Sequence, residues 1–400
     1  MTTPFLRSFR LKHFKAVRDS GVIRLTPLTA FIGNNGSGKS SITESLETLQ
    51  AIVERGLDAA MQPWRGFEHI WHQGVPHKLK EERKTRLAHT NPMSFDLKGR
   101  VRTGSFIASL HINAGPGSNE LFIEQEKVLI KNRLDMGRDS RGKVILRYRN
   151  GVRPQSYKDS DGESELGKAL DRFPLEWQFL SLVTQSMGPP VPQHRTGGSI
   201  RLAKDGSNLA DYLLNIRKLD QHAFDGIVET LQHVLPYAKD LQPALTSELE
   251  RTVFIQLTEA GFKVPGWLLS TDTLRILAFL ALFRHPNPPP LIVIEEIENG
   301  LDPRTLHLLV DEIRSLVESK RSQVIVTTHS PYLLDLLDLS HIVMVERIDG
   351  QPTFPARPTR QRFSVGHMTS AQAVCTRWVY STRSGSDESR DDLRVRPGRC

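Results

Sequence analysis

A phosphate-binding loop motif lies near the start of this 400-residue chain and constrains its fold more than any other feature. Residues 33–40 read GNNGSGKS, which fits the pattern G-x-x-x-x-G-K-[ST]. An apolar, strand-like run from Leu28 to Ile32 precedes the motif, and a helical pattern from Ser41 to Val53 follows it. The sequence therefore predicts a strand, a loop and a helix whose N-terminus faces the phosphates of a nucleotide.

Each residue type in the motif has a part in binding phosphate. Glycines let backbone N–H groups approach the phosphates, Lys39 brings a positive charge to the β- and γ-phosphates, and the Ser40 hydroxyl is a ligand for Mg²⁺. The alternative is a Gly/Ser-rich loop without function, and a second half-site far downstream argues against it. The residues that we expect to contact the nucleotide here are Gly33, Asn34, Asn35, Gly36, Ser37, Gly38, Lys39, Ser40 and Ser41.

The downstream half-site is an apolar strand that ends in two carboxylates. Leu291 to Ile294 read as a buried parallel strand, and Glu295 and Glu296 follow it. We expect Glu295 to hold the Mg²⁺ shell and Glu296 to polarise the attacking water. Most phosphate-loop proteins have Asp at the first position, so Glu295 moves the carboxylate by one methylene. The alternative is a strand that ends in solvated acids, which the pairing with the phosphate loop disfavours.

Two further segments follow in order. Asn299 to Pro303 predict a tight turn before a helix over 304–319, and 324–328 read as another buried strand that ends at His329. A His at this place beside a nucleotide is able to hydrogen-bond a γ-phosphate, so we expect it to be catalytic together with Glu296 and Lys39. A structural strand-end His is the alternative, and its position one helix after the acidic pair favours the catalytic role.

This order of motifs resembles the ATP-binding-cassette (ABC) class of P-loop ATPases, in its RecF/SMC/OLD-like branch of AAA-type ATPases. The segments Phe9 to Ala16 and Asp205 to Ala210 are similar to a first strand with its "NFK" turn and to a "DG-NLA" element of small members. The resemblance implies an α/β fold, a P-loop NTPase with an ABC-ATPase-like head: a mixed core sheet, an antiparallel β-subdomain and a helical lobe. It also implies ATP and Mg²⁺ as cofactors, and a head-to-tail homodimer that sandwiches ATP.

The family signature is similar to residues 270–275, which read STDTLR. The resemblance implies that Ser270 and Asp302 contact nucleotide. Asp272 occupies the position where the family has glycine, and a carboxylate there repels a partner's ATP. The alternative is an ordinary amphipathic helix. The glutamine loop of the family has two candidates in this chain, Gln73 and Gln185, and neither has a decisive context.

The resemblance divides the chain into three parts. Residues 1–160 and 286–350 form the nucleotide-binding lobe, 161–285 a mainly helical signature lobe, and 351–400 an Arg-rich tail. The chain is expected to be a small form, without a nuclease domain and without the heptads of a long coiled coil. The antiparallel strands of the β-subdomain are predicted at 93–102, 106–112, 121–130 and 143–149.

The net charge of +8 is concentrated at the C-terminal end. Residues 351–400 hold nine Arg and four acidic residues, a net of +5, so residues 1–350 carry only +3. We expect this tail to be disordered or non-native, for example from an altered reading frame; the alternative is a basic arm for nucleic acid. No apolar run of membrane-spanning length and no signal peptide is visible, which predicts a cytoplasmic protein without membrane contact.

Two functions from different classes follow. The first is a Mg-dependent ATPase that dimerises on ATP to act on DNA or a partner protein, in DNA maintenance or defence. The second is an ATP-binding sensor or interaction module with little or no hydrolysis, which Asp272 and Glu295 both favour. A third alternative is an inactive copy of such an ATPase.

Overall fold

The computed structural model describes residues 3–74, 79–82, 86–115, 120–138, 143–148, 155–158, 162–196, 198, 200–247 and 250–355. The first residues of the predicted tail, Gln351–Thr353, form a strand that pairs with Glu346–Ile348. From position 356 onward the tail lies outside the described residues, so its expected disorder stays a prediction there. In the described part, no helix combines the length and the apolar character that crossing a bilayer requires.

The strands, numbered in chain order, are β1 (Phe5–Phe14), β2 (Val17–Asp19), β3 (Ile23–Arg24), β4 (Leu28–Ile32), β5 (Leu79–Glu82), β6 (Arg86–His89), β7 (Met93–Val101), β8 (Gly104–Ala114), β9 (Leu121–Ile130), β10 (Leu134–Arg138), β11 (Lys143–Tyr148), β12 (Gln155–Lys158), β13 (Gln178–Leu180), β14 (Val191–Pro192), β15 (Ala238–Leu245), β16 (Thr252–Glu259), β17 (Phe262–Pro265), β18 (Leu291–Ile294), β19 (Gln323–Thr328), β20 (Ile342–Met344), β21 (Glu346–Ile348) and β22 (Gln351–Thr353).

The α-helices are α1 (Lys39–Met61), α2 (Phe67–Ile70), α3 (Leu166–Ala169), α4 (Thr184–Met187), α5 (Leu209–Leu219), α6 (Gln221–Val234), α7 (Thr271–Phe283), α8 (Pro303–Glu318) and α9 (Pro331–Asp335). Short 3₁₀ turns occupy Gln62–Trp64, Phe173–Glu176, Gly266–Leu268 and Leu339–His341.

The core of the described molecule is a parallel sheet with the strand order β13-β18-β19-β4-β20. Every residue of β18 and β19 is buried. Strands buried on both faces read as continuous apolar runs, which is why the sequence predicted β18 and β19 within a residue or so of their ends. The carboxyl ends of β4, β18 and β19 meet at one edge of this sheet, and the phosphate-binding loop, the two carboxylates and His329 follow those ends.

A large antiparallel sheet with the order β12-β11-β10-β9-β8-β7-β1-β2, with β3 beside β1, forms the second layer. It contains all four of the strands predicted for the β-subdomain, so this part of the expected fold is confirmed. Strand β10 was missed, because its sequence, LDMGR, contains Gly and charged residues that disfavour a strand prediction. Helix α1 and the short α3 both contact β9 of this sheet.

The segment predicted as mainly helical contains α5, α6 and α7, but it also holds a small antiparallel sheet of β14, β16, β15 and β17. Strand β13, from the same segment, belongs to the core sheet, where it pairs in parallel with β18. Strand β15 carries Pro243, which is tolerated because β15 lies at a sheet edge. A Pro inside a short polar run hides such a strand from sequence patterns.

Apolar residues pack on both faces of the core sheet. On one face, Leu291 and Val293 join a cluster with α1 and the antiparallel sheet. On the other face, Ile292 and Ile294 join a cluster with α5 to α8. The alternation of side chains along β18 thus links the two lobes through one shared sheet.

Candidate nucleotide site

The phosphate-binding loop lies between β4 and α1, as the motif predicts. Gly38 has φ +112°, a left-handed conformation that a residue with a Cβ rarely adopts. A Cβ on Gly33 would lie 2.2 Å from the carbonyl oxygen of Val345, and one on Gly38 would lie 2.8 Å from the ring of Pro352. The loop is therefore packed against the chain that enters the hairpin of β21 and β22, and both glycines are needed for that approach.

Lys39 is held inside the loop. Its Nζ donates to the carbonyl oxygens of Gly33 (2.7 Å) and Asn34 (3.0 Å). Burial lowers the pKa of Lys39, and the carboxylates of Glu296 and Glu298 act in the opposite direction. The ammonium thus lies at the loop, where phosphate oxygens are able to replace the two carbonyl acceptors.

The two predicted carboxylates take different places. Glu295 Oε1 accepts a hydrogen bond of 2.6 Å from the Thr43 hydroxyl, one turn beyond Ser40 on α1. Thr43 lies outside the loop motif, which ends at Ser40, so the motif alone does not identify it. Oxygen donors of this kind are the ligands that Mg²⁺ prefers, and Ser40, Thr43 and Glu295 supply them on adjoining elements.

Glu296 stands in a strained turn. Its φ is +47°, in the left-handed region, which costs a non-glycine residue about 1–3 kcal/mol and is common at functional sites. Its backbone N–H donates to the Thr327 hydroxyl (3.0 Å), and the Asn299 amide donates to its carboxylate. These contacts fix the carboxylate at the end of β18, where it is half exposed.

His329 lies between the other two predicted catalytic groups. Its Nδ1 is 3.5 Å from Lys39 Nζ, and its Nε2 is 3.8 Å from Glu296 Oε1. The structure thus brings Lys39, Glu296 and His329 together from three different strand ends, although Lys39 is more than 250 positions from the other two in the chain. Their catalytic roles stay predictions.

Glu298 is a site residue that the sequence reasoning missed. Its Oε1 accepts the backbone N–H of His329, and its Oε2 is buried without a hydrogen-bond partner among the described residues. The Ser37 hydroxyl in the loop is buried and unsatisfied in the same way. The position of Glu298, two residues after Glu296 in the chain, was the sequence signal that could have identified it. Buried unsatisfied polar atoms are rare, and two of the eight such side-chain atoms among the described residues lie at the loop and the acidic turn.

The signature segment begins helix α7. The Ser270 hydroxyl accepts the backbone N–H of Thr273 (3.1 Å) and so caps the helix. Asp272 is exposed on the first turn, and a Cβ on Gly300 would lie 3.2 Å from its Oδ1. Burial lowers the pKa of Arg275, with Asp272 and Glu296 acting in the opposite direction. The signature therefore adjoins the acidic turn of the same chain, with a carboxylate where anions usually bind.

Asp302 caps helix α8. Its Oδ1 accepts the backbone N–H groups of Arg304 (2.8 Å) and Thr305 (3.2 Å), and the Thr305 hydroxyl donates to Oδ2. These hydrogen bonds lower the pKa of the Asp302 carboxyl. Its position is explained by the helix, and the nucleotide contact expected of it stays a prediction.

The two candidate glutamines lie far apart in the topology. Gln185 is in α4, just after β13, the strand that pairs with β18. Gln73 follows α2, and its amide donates to the carbonyl oxygen of Glu68. Strand β13 pairs with β18, the strand that ends at Glu295 and Glu296. This position favours Gln185 as the candidate for the glutamine loop.

Residues 155–335 match the family model described as "AAA domain, putative AbiEii toxin, Type IV TA system". The matched range contains the signature segment, both carboxylates and His329, and the phosphate-binding loop precedes it. No curated protein matches the chain at a significant level.

Solved structures of SMC heads are similar in fold. An SMC head bound to the C-winged-helix domain of ScpA has a TM-score of 0.51 at 16% identity, with 90% of this chain and 100% of that chain covered. The SMC head domain from Thermotoga maritima has a TM-score of 0.44 at 16% identity, with 88% and 99% covered. An Smc head with an extended coiled coil, bound to the C-terminal domain of ScpA derived from Pyrococcus furiosus, has a TM-score of 0.49 at 14% identity, with 95% of this chain and 100% of that chain covered.

These findings define the class of the molecule. It has the ABC-like fold of an SMC head, in which a parallel core sheet is joined to an antiparallel β-subdomain. Within it, residues 155–335 are similar to a family of AAA domains, and the phosphate-binding loop of residues 33–40 lies before the matched range. The resemblance inferred from the sequence motifs is thereby confirmed.

Proposed function

We propose that this protein binds ATP with Mg²⁺ at the loop of residues 33–40 and hydrolyses it. The observation that carries the proposal is the convergence of Lys39, Glu296 and His329 at the carboxyl ends of three core strands. Phosphoryl transfer is catalysed mainly by positioning and charge stabilisation, and these residues provide both.

The residues have separate parts in this mechanism. Lys39 exchanges its bonds to the carbonyl groups of Gly33 and Asn34 for phosphate oxygens and neutralises charge that develops on them. Glu296 orients and polarises the attacking water, with its carboxylate fixed by Asn299. His329 lies next to both and donates a hydrogen bond to the γ-phosphate.

The oxygen donors at the start of α1 fit a magnesium ion. Ser40 and Glu295 would hold it, and Thr43 orients the Glu295 carboxylate through the 2.6 Å hydrogen bond. Mg²⁺ would neutralise the phosphate charge there.

We further propose that two copies pair head to tail on ATP, with Ser270 of one copy at the nucleotide of the other. In support, Ser270, Thr271 and Asp272 at the N-terminus of α7 are exposed. The ATP-bound dimer would act on DNA or on a partner protein. One of the similar SMC heads is itself bound to a domain of a second protein, ScpA.

A second candidate is an ATP-binding sensor with little turnover. Asp272 favours it, because an exposed carboxylate on the first turn of α7 competes with an incoming phosphate for the positive end of the helix. In this case ATP binding is retained, while trans engagement and hydrolysis are weak.

Steady-state ATP turnover of the wild type, Glu296→Gln and Asp272→Gly separates the two candidates. The ATPase predicts that Glu296→Gln loses turnover by about 100-fold or more while still binding ATP. The sensor predicts a wild type no faster than Glu296→Gln and a gain of turnover in Asp272→Gly. If all three proteins are equally slow, the proposal of catalysis by this site fails.

A further inference from the structure

A cavity of about 370 Å³ lies at the amino-terminal edge of the core sheet, opposite the edge that carries the nucleotide site. Gln323 begins β19, Pro27 directly precedes β4, and Val317 lies in the last turn of α8. Residues 3–5, at the start of β1, line another side. Cavities of about 300–1,000 Å³ hold small ligands in proteins, so this one has the size of a binding site.

The walls of the cavity are largely apolar and are held in place by the protein itself. The buried Gln323 side chain accepts the backbone N–H of Leu6 at Oε1 (2.8 Å) and donates from Nε2 to the carbonyl oxygens of Leu6 (2.8 Å) and Thr26 (2.9 Å). These bonds join β1, β19 and the residues that enter β4. A preformed site avoids the cost of ordering its walls on binding. The apolar lining residues are Pro4, Phe5, Pro27 and Val317.

The neutral polar side chains of the lining already have partners. The Thr3 hydroxyl donates to the carbonyl oxygen of Lys320, and the Ser322 hydroxyl donates to that of Pro289 (2.6 Å). Like the amide of Gln323, these groups direct their hydrogens to the protein. A ligand rich in hydroxyl groups would therefore find few side-chain donors here, whereas apolar surface is available.

The charged side chains of the lining are all positive. Arg100 and Lys320 are exposed, and no carboxylate of the described residues lies within ion-pair distance of either. Arg100 stands directly opposite Phe5 in the pairing of β1 with β7, so their side chains share one face of the sheet. The Arg7 guanidinium lies 5.5 Å from the centre of the Phe5 ring and adds a third positive charge nearby. The cavity thus combines apolar walls with a positive rim.

We infer that this cavity binds a small amphipathic anion, in which an apolar body ends in one carboxylate or phosphate group. The body buries apolar surface against Phe5 and Val317. The head group pairs with Arg100 and Lys320, and hydrogen bonds between charged partners are the stronger ones. At about 30 Å³ for each water-sized group, the cavity holds about a dozen non-hydrogen atoms, which fits a carboxylate of about ten carbons.

The inference does not rest on the proposed ATPase. Val317 and Gln323 lie at the ends of α8 and β19 that are distant from Asp302 and His329. The 16 residues of α8 separate its two ends by about 24 Å, at 1.5 Å for each residue. Failure to bind ATP and failure to bind the anion are therefore separate results.

The test is calorimetry of the full chain with decanoate in the absence of nucleotide. Decylammonium has a similar apolar body with the opposite charge, and acetate has the same head group without the body. Decyl phosphate, in a separate titration, tells a phosphate head from a carboxylate head.

Three variants locate the binding. The rim variant, Arg100→Gln with Lys320→Gln, removes both cations, and Val317→Phe fills the cavity. The control, Lys218→Gln with Lys239→Gln, removes the same charge from exposed positions of the other lobe.

The wild type is expected to bind one decanoate per chain. Decylammonium is expected to bind about tenfold more weakly, because like charges meet at the rim, and acetate about 100-fold more weakly, because it buries almost no apolar surface. The rim variant is expected to lose about tenfold in affinity for decanoate, the usual effect of a lost hydrogen bond to a charged group. Val317→Phe is expected to abolish binding, and the control to match the wild type. Decyl phosphate that binds once per chain and is weakened in the rim variant supports the inference equally.

Four results would overturn the inference. They are a wild type that binds neither decanoate nor decyl phosphate, equal affinities for decanoate and decylammonium, equal affinities of the rim variant and the control, and a Val317→Phe protein that binds like the wild type. Thermal unfolding of each variant shows that the comparison concerns folded protein. If Val317→Phe does not fold, the rim variant decides, because both of its substitutions are at exposed positions.

Discussion

At the scale of the residue, Glu295 shows how a departure from the common pattern is accommodated. An Asp at this position would carry its carboxylate one methylene closer to the backbone of β18. The longer Glu reaches the Thr43 hydroxyl, one turn along α1, at 2.6 Å. The Mg²⁺ site is therefore expected to depend on Thr43 as well as on Ser40, because a group that orients a metal ligand tunes the metal.

Replacing Thr43 by Val tests this dependence. We expect the affinity for Mg²⁺ in the presence of ATP to fall about 10- to 100-fold, since the Glu295 carboxylate loses the group that orients it. The matched control is Thr48→Val on the same helix, whose hydroxyl donates only to the backbone carbonyl of Glu44. A magnesium titration of ATP binding makes the measurement, and equal affinities for the two variants would remove Thr43 from the site.

At the scale of the element, helix α8 positions the acidic turn relative to the core sheet. Pro303 begins the helix, and Asp302 satisfies its first free N–H groups. The cap fixes where the turn from Glu296 to Asp302 ends. This gives Asp302 a role within one chain that is independent of any nucleotide.

Asp302→Ala is expected to lower the free energy of unfolding by about 1 kcal/mol, the usual cost of a lost cap. Since the folded-state pKa of Asp302 is lowered, its contribution is present above the ordinary carboxyl pKa and is lost as the pH falls through the folded value. Urea unfolding at neutral and acidic pH measures both effects, with Glu318→Ala at the other end of α8 as the control. An unchanged unfolding free energy together with a loss of ATP binding would instead favour the nucleotide contact.

The elements also show what sequence patterns are able to predict. Strands that are buried on both faces, such as β18 and β19, are recognisable as continuous apolar runs in the sequence. The loop before α1 is recognisable from its motif with fixed glycines. Strand β15 is not recognisable in this way, because Pro243 and alternating polar residues suit an edge strand that only its pairing with β16 reveals. Glu298 was missed for a related reason, since its contact with His329 joins the ends of two strands that are distant in the chain.

At the scale of the whole molecule, a buried ion pair joins the neighbouring strands β9 and β10 of the antiparallel sheet, and both of its side chains also bond to the segment that leads toward the core sheet. The side chains of Glu126 and Arg138 are fully buried, and their closest atoms are 3.1 Å apart. Glu126 also accepts from the Ser164 hydroxyl and from the backbone N–H groups of Glu165 and Leu166. Removal of one partner would leave a buried charge without compensation.

We therefore expect Arg138→Met to lower the free energy of unfolding by about 3–5 kcal/mol. The double variant Glu126→Gln and Arg138→Met is expected to lose less, because the uncompensated charge is absent. A double-mutant cycle in urea, completed by Glu126→Gln alone, provides the comparison. Equal losses for the single Arg138 variant and the double variant would show that the pair does not act as a unit.

The central claim is that the loop of residues 33–40 binds ATP and that binding pairs two heads. Calorimetry of ATP with Mg²⁺ on the wild type and on Lys39→Ala, with the mass of each sample measured in parallel, tests it most directly. We predict binding by the wild type with a shift from monomer to dimer, and the loss of both in Lys39→Ala. A wild type that binds no ATP, or equal binding by both proteins, would contradict the claim.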